Sequence, residues 1–136
     1  MNQDYKKEWL AALRSGEYEQ GNLYLRRNNS EDGYTFCCLG VLCDIYLKKN
    51  NLTWNDRPGN FDKPFSELKS LPAEVTSVTG VTSLGYLGDK TSVEIEEKYN
   101  TGCYQALSGL NDVAKFSFPV IADIIEEYID KEEKHS

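Results

Sequence analysis

The sequence predicts a helix-dominated α+β fold in one domain, residues 1–136. It would have a central buried helix at about 37–49, a small antiparallel sheet or hairpin, and a C-terminal helix pair. Three stretches carry this expectation. Phe36–Leu47 is apolar on almost every side, with Asp44 its one charge, and a helix that is hydrophobic all round belongs inside a domain. Asn22–Arg27 largely alternates polar and apolar residues, and the polar turn Asn28–Gly33 then leads to Tyr34-Thr-Phe36, which reads as a hairpin. Val120, Ile121, Ile124, Ile125, Tyr128 and Ile129 form an apolar stripe at helical spacing.

The elements follow in chain order. Asp4–Ser15 reads as a helix with Tyr5, Trp9, Ala12 and Leu13 on one face, Asp4 as its N-cap and Gly16 just past its C-terminus. In Asn22–Arg27 only Tyr24 breaks the alternation, and this run is a strand or a loop. Gly40 lies inside the central helix, where it costs about 1 kcal/mol relative to alanine, so close packing of a neighbour is expected there. Asn51–Ser70 is rich in Asn, Pro and Gly and reads as irregular chain anchored by Trp54, Phe61 and Phe65. Leu71–Val78 is a short helix with Pro72 near its start and Gly80 after its end. Thr91–Glu97 alternates through Val93 and Ile95 and is assigned as a half-buried strand. Thr101–Leu110 is assigned as a helix capped by Thr101, with Cys103, Ala106, Leu107 and Leu110 inward and Asn111-Asp112 closing it. Ser117 would cap the last helix, with Pro119 in its first turn.

Composition narrows the function classes. A net charge of −7 opposes broad contact with a phosphate backbone. Hydrophobic content of 40% is too high for a disordered chain. The chain shows no apolar leader and no run of about 20 apolar residues, so a cytoplasmic protein is expected, with no membrane partner. The acidic positions Asp123, Glu126, Glu127, Asp130, Glu132 and Glu133 read as a solvated helix face.

Several motifs occur together. They are Trp9-Leu-Ala-Ala-Leu-Arg-Ser-Gly16 with Tyr18 and Gln20-Gly21, then Cys37-Cys-Leu-Gly-Val-Leu-Cys-Asp44, then Leu110-Asn-Asp112 followed by Phe116-Ser-Phe118 and Ile121-Ala-Asp123. The set resembles a group of small, mostly uncharacterised proteins encoded by phages and prophages. The resemblance covers nearly the whole chain, and the cysteine-rich string is its most specific part. It brings no activity. It implies a setting, the bacterial host cytosol, in which small accessory phage proteins often serve host takeover or counter-defence.

Chemistry is sparse. A nucleophilic cysteine needs a base, and the one histidine is the penultimate residue, His135. Cys37, Cys38, Cys43 and Cys103 lack the paired spacing of a zinc site, so no metal or cofactor is expected and the spine cysteines read as packing atoms. No phosphate-loop motif is present. Leu110–Asp123 has the outline of a helix-turn-helix, but the acidic second helix is unsuited to phosphates, so no nucleic acid duplex is expected.

One cluster remains. Arg14, Gln20, Tyr24, Arg26 and Arg27 concentrate cations and hydrogen-bonding groups in an acidic chain. Arginine forks bind phosphate bidentately, and Trp9, Tyr24, Tyr34 or Trp54 could cover a base. Asn111 and Asp112 could read an exocyclic amine or a ribose hydroxyl. The candidate ligand-binding set is therefore Trp9, Arg14, Gln20, Tyr24, Arg26, Asn111 and Asp112, weighed against ordinary surface pairing such as Arg14 with Glu17 or Asp44. The function expected is a non-enzymatic counter-defence protein that sequesters a small phosphorylated or nucleotide-type signal. The alternatives are an inhibitor that binds a host protein and a small-molecule enzyme using Gln20, Cys37 or carboxylates; a homo-oligomer is allowed by each.

Overall fold

The computed structural model describes residues 1–28, 33–59 and 62–129. The expected turn residues 29–32, the anchor Phe61, the acidic positions 130–133 and His135 lie outside the described residues. The fold is α+β and helix-dominated, with the small antiparallel hairpin and the terminal helix pair in place.

The first helix, α1, spans Gln3–Ser15 and buries Tyr5, Trp9 and Leu13. Its cap is Asn2 rather than Asp4: the Asn2 carboxamide oxygen accepts the backbone N–H groups of Asp4 and Tyr5 at 3.0 and 3.1 Å. Gly16 ends it in the left-handed conformation. Strand β1 is Arg26–Asn28, paired antiparallel with β2, Tyr34–Phe36. The first strand is shorter than expected because Leu23 has φ 69°, which breaks the extended run. Residues 19–21 instead lie along β2 on its other side, where Gly21 N–H donates to the Phe36 carbonyl and Phe36 N–H to the Glu19 carbonyl.

The central helix, α2, spans Cys38–Lys49 and buries nine of its residues, Asp44 among them. Its closest neighbour is backbone. A Cβ on Gly40 would sit 1.6 Å from the Leu25 carbonyl oxygen, so the chain entering β1 lies directly on the helix. The irregular segment after α2 is pinned by Trp54 and by Phe65, which starts a 3₁₀ turn at Phe65–Glu67. The helix α3 spans Ala73–Thr79 and is closed by Gly80.

Two assignments are corrected. Thr91–Glu97 is helical, inside α4 (Asp89–Tyr99). The inward positions are Thr91, Ser92 and Ile95, a helical spacing built partly from small polar residues, while Val93 is exposed. Thr101–Leu110 is non-helical as far as Ala106, and α5 covers only Leu107–Asp112. The cause is non-local pairing: Leu87 N–H donates to the Gln105 carbonyl and Leu107 N–H to the Gly85 carbonyl, which holds residues 105–107 against the chain at 85–87. Thr101 therefore caps nothing, Cys103 is exposed, and Asn111 and Asp112 lie within the helix.

The last helix, α6, spans Phe118–Tyr128 and buries Phe118, Ile121, Ala122, Ile124, Ile125 and Tyr128. The helix α1 packs on both α6 and α2, and α5 links α2 to α6. The hydrophobic core runs through all four, with Trp9, Leu39, Leu42, Leu110, Ile121 and Ile124 fully buried.

Candidate functional site

Of the seven sequence candidates, three meet in one network. The Gln20 amide donates to Asn111 Oδ1 at 2.9 Å and to the Phe116 carbonyl at 2.7 Å, and its oxygen accepts Phe118 N–H at 3.0 Å. Asn111 accepts Cys38 N–H at 3.2 Å and donates to the Gly21 carbonyl and to Asp112 Oδ1 at 2.9 and 2.8 Å. Asp112 also accepts Leu23 N–H at 3.0 Å. Helix starts carry unsatisfied N–H groups. Neither Cys37 nor Ser117 offers a side-chain cap, and those groups are instead satisfied from a distance, by Asn111 for α2 and by Gln20 for α6. A cleft of about 410 Å³ opens beside Gln20, Asn22, Asn111 and Lys115. The Gln20 and Asn111 amides beneath it are fully engaged with protein, which leaves them no donor for a ligand.

Trp9 and Arg14 are each engaged elsewhere. Trp9 is fully buried and its indole N–H donates to the Cys38 carbonyl at 2.9 Å, so its ring presents no face to solvent. The Arg14 guanidinium bridges two α6 carboxylates, Asp123 at 2.8 Å and Glu126 at 2.6 Å. The hydrogen bonds it donates to Asp123 and Glu126 raise its pKa further. The acidic α6 face, rather than Glu17 or Asp44, is thus the partner of Arg14.

Asp44 organises a second polar cluster. It is the charged residue of the buried spine and accepts the Trp54 indole N–H at 2.9 Å, the Tyr18 hydroxyl, and the Lys48 ammonium at 2.9 Å. Burial works to raise its pKa, but the hydrogen bonds from Tyr18, Lys48 and Trp54 outweigh it and the net shift is downward. Tyr18 moves the other way, pushed up to about 12 by burial and by the Asp44 carboxylate. Because the folded-state pKa of Asp44 is depressed, its contribution to stability is present above the unfolded value of about 3.9 and is lost as pH falls through the folded one. Thermal melts between about pH 7 and pH 2.5 are therefore expected to show an acid limb starting near pH 4. In Asp44→Asn the protein should be less stable at neutral pH and this limb shallower; an unchanged limb would remove Asp44 from the account.

Asp44 fixes Trp54, and Trp54 helps to build the setting of Arg26. Phe36 packs edge-on against both Tyr18 and Trp54. The Arg26 guanidinium carbon lies 3.7 Å from the Tyr34 ring centroid and 5.0 Å from that of Trp54. Arg26 is half-buried, and desolvation lowers its pKa. Its planar fork has aromatic rings around it and meets no carboxylate or carbonyl acceptor among the described residues. Beside it lies a shallow cleft of about 290 Å³ lined by Tyr24, Arg26, Arg27, Asn28, Ser66 and Glu67. Arg27 and Lys69 stand over the Tyr24 ring at 5.6 and 5.2 Å. This grouping takes Tyr24 and Arg26 from the expected set and adds Arg27, Ser66 and Lys69. The sequence signal for the arginines was their density; nothing local pointed to Ser66 or Lys69, which come from the irregular segment.

The spine thiols are free and buried. Cys37 is buried and its pKa is pushed up to about 11 by desolvation, and burial drives Cys38 and Cys43 up as well. A thiol held protonated is a poor nucleophile. Among the described residues no group of three His, Cys, Asp or Glu side chains is placed to hold a metal ion, and no helix is long and apolar enough to cross a membrane.

Comparison with known proteins adds a family. No curated protein and no solved structure matches the chain. The profile of a domain of unknown function, DUF8296, matches residues 1–129, and the chain belongs to that family.

Proposed function

We propose that the protein is a non-enzymatic phage accessory protein that sequesters a small nucleotide-type signal in the cytosol of a bacterial host, as a counter-defence measure. The observation that carries this reading is Arg26: a guanidinium stacked on Tyr34 and Trp54 whose donor edges meet no acceptor among the described residues. An arginine held in this way is preorganised for an anion, since little side-chain freedom remains to be lost on binding. The motif resemblance to phage-encoded proteins supports the biological setting. The burial of the thiols and the commitment of Gln20 to backbone groups weigh against the enzymatic alternative.

The test is a ligand panel of cyclic and linear nucleotides and ADP-ribose derivatives, read by melting temperature. A ligand at a hundredfold excess over its Kd stabilises by ~2.7 kcal/mol, which is a shift of several degrees for a domain of this size. At least one member of the panel is expected to give such a shift, to be recovered chemically unchanged after heat release, and to lose the shift in Arg26→Ala. No shift with any member at saturation would sink the proposal, and so would recovery of a hydrolysed product.

The second reading, an inhibitor of a host protein, is favoured by one corner of the surface. Leu23 and Val113 are 51% and 66% exposed, and Leu23 N–H is tied to Asp112, the residue that precedes Val113.

A further inference from the structure

Resting on that reading and narrowing it, we infer that the ligand is a single nucleoside-sized unit bearing a terminal phosphomonoester, rather than a cyclic dinucleotide or another phosphodiester. The argument is one of charge, size and donor geometry. Arg26 and Arg27 line the cleft, and Lys69 stands at its edge over Tyr24. Glu67 is the one carboxylate among the lining residues. Among the described residues the acid that acts on Arg26 is Asp44, which is already paired with Lys48 at 2.9 Å. Among the described residues the lining therefore carries an excess of one positive charge, and two with Lys69, in a protein whose net charge is −7. A phosphomonoester at neutral pH carries about −1.5 to −2 and three acceptor oxygens. A phosphodiester brings a single negative charge per phosphate and would leave the cluster half-compensated.

Size points the same way. At about 290 Å³ the cleft is at the lower end of small-ligand sites. It matches the size of one phosphorylated nucleoside better than that of two. The donors are also clustered rather than divided between two ends: Arg26 and Arg27 from β1 and the Ser66 hydroxyl, which donates to no acceptor among the described residues, line the same cleft. This suits bidentate capture of one phosphate better than two spaced diesters.

Calorimetric titration of the full chain separates the cases, using a nucleoside 5′-monophosphate, its phosphate methyl ester, the free nucleoside, inorganic phosphate and a cyclic dinucleotide. The monophosphate is expected to bind one per chain and at least about tenfold tighter than the methyl ester. That preference should shrink between about pH 7.5 and pH 5.5, as the monoester takes up its second proton near pH 6. The double variant Arg27→Ser, Lys69→Ser alters two exposed side chains and should keep the parent melting temperature while weakening the monophosphate by at least about tenfold. Equal binding of the methyl ester, tighter binding of the cyclic dinucleotide, or inorganic phosphate as tight as the nucleotide would each overturn this inference while leaving the proposed sequestration standing. Binding of none of the five, with a shift still seen elsewhere in the nucleotide panel, would overturn it as well; silence across the whole panel removes both.

Discussion

Gly40→Ala is expected to cost more than about 3 kcal/mol, and the variant is expected to be largely unfolded at 37 °C. The sign of this effect is what makes it informative. In an exposed helix the same change gains about 1 kcal/mol, because glycine loses more backbone entropy on folding than alanine does. Here the added methyl would lie 1.6 Å from the Leu25 carbonyl oxygen and 2.5 Å from its carbonyl carbon. Both are backbone atoms, so no rotamer change relieves the overlap. Leu25 is itself fully buried, and its N–H donates to the Leu68 carbonyl at 2.9 Å, which ties it to the irregular segment. Moving Leu25 off α2 would therefore displace β1 and the Arg26 cleft together. Urea denaturation checks the prediction: the midpoint should fall sharply. A midpoint at or above that of the parent would mean that the Leu25 backbone is not seated on the helix.

The contrast between what could and could not be read from the chain follows from the range of the interactions. The spine and α6 are legible because their signals are local: all-round apolarity in one, a stripe at helical period in the other. Gly40 is legible for the same reason, since a glycine inside a helix calls for a neighbour. Thr91–Glu97 misleads because Val93 and Ile95 alternate, while the face that is in fact buried contains Thr91 and Ser92. A buried hydroxyl can be satisfied inside a helix, as where Ser92 Oγ donates to the Gly88 carbonyl at 2.7 Å, but a hydrophobic pattern does not register it. The stretch before Leu107 misleads because its backbone is held by residues some twenty positions earlier.

The site was half legible on the same terms. Density of arginine and aromatic residues marks the Arg26 region, and the rings that stack on Arg26 are two of those expected to cover a ligand. Amide and indole side chains are ambiguous in a way that composition cannot resolve. Gln20, Asn111 and Trp9 have donors and acceptors suited to a ligand, and they use the same groups on backbone: the N–H groups of Phe118 and Cys38 at two helix starts, and the Cys38 carbonyl. Only the placement of α5 against α2 decides between the two uses.

That placement makes Asn111 the second position of large expected effect. Asn111→Ala removes four hydrogen bonds at a site 3% exposed. The buried Cys38 N–H at the start of α2 and the part-buried Gly21 carbonyl lose their partner, and a buried group left unsatisfied costs about 1–3 kcal/mol. A loss of about 3–5 kcal/mol is expected, a large part of the 5–15 kcal/mol typical of a whole domain. Asn111→Asp distinguishes the polar role from simple loss of volume. The carboxylate can still accept from Cys38 and Gln20, but it has no N–H for the Gly21 carbonyl and it faces the Asp112 carboxylate, so it should be destabilised nearly as much as the alanine variant despite its near-identical shape. If the network acts as a unit, a double-mutant cycle with Gln20→Ala should show the two losses falling short of additive by about 1 kcal/mol or more, because each single change already breaks their shared 2.9 Å bond. Strict additivity would separate the cap of α2 from the cap of α6. A well-folded Asn111→Asp protein would restore Asn111 and Asp112 as groups with bonding capacity to spare, and the cleft beside them would again be a place for a ligand.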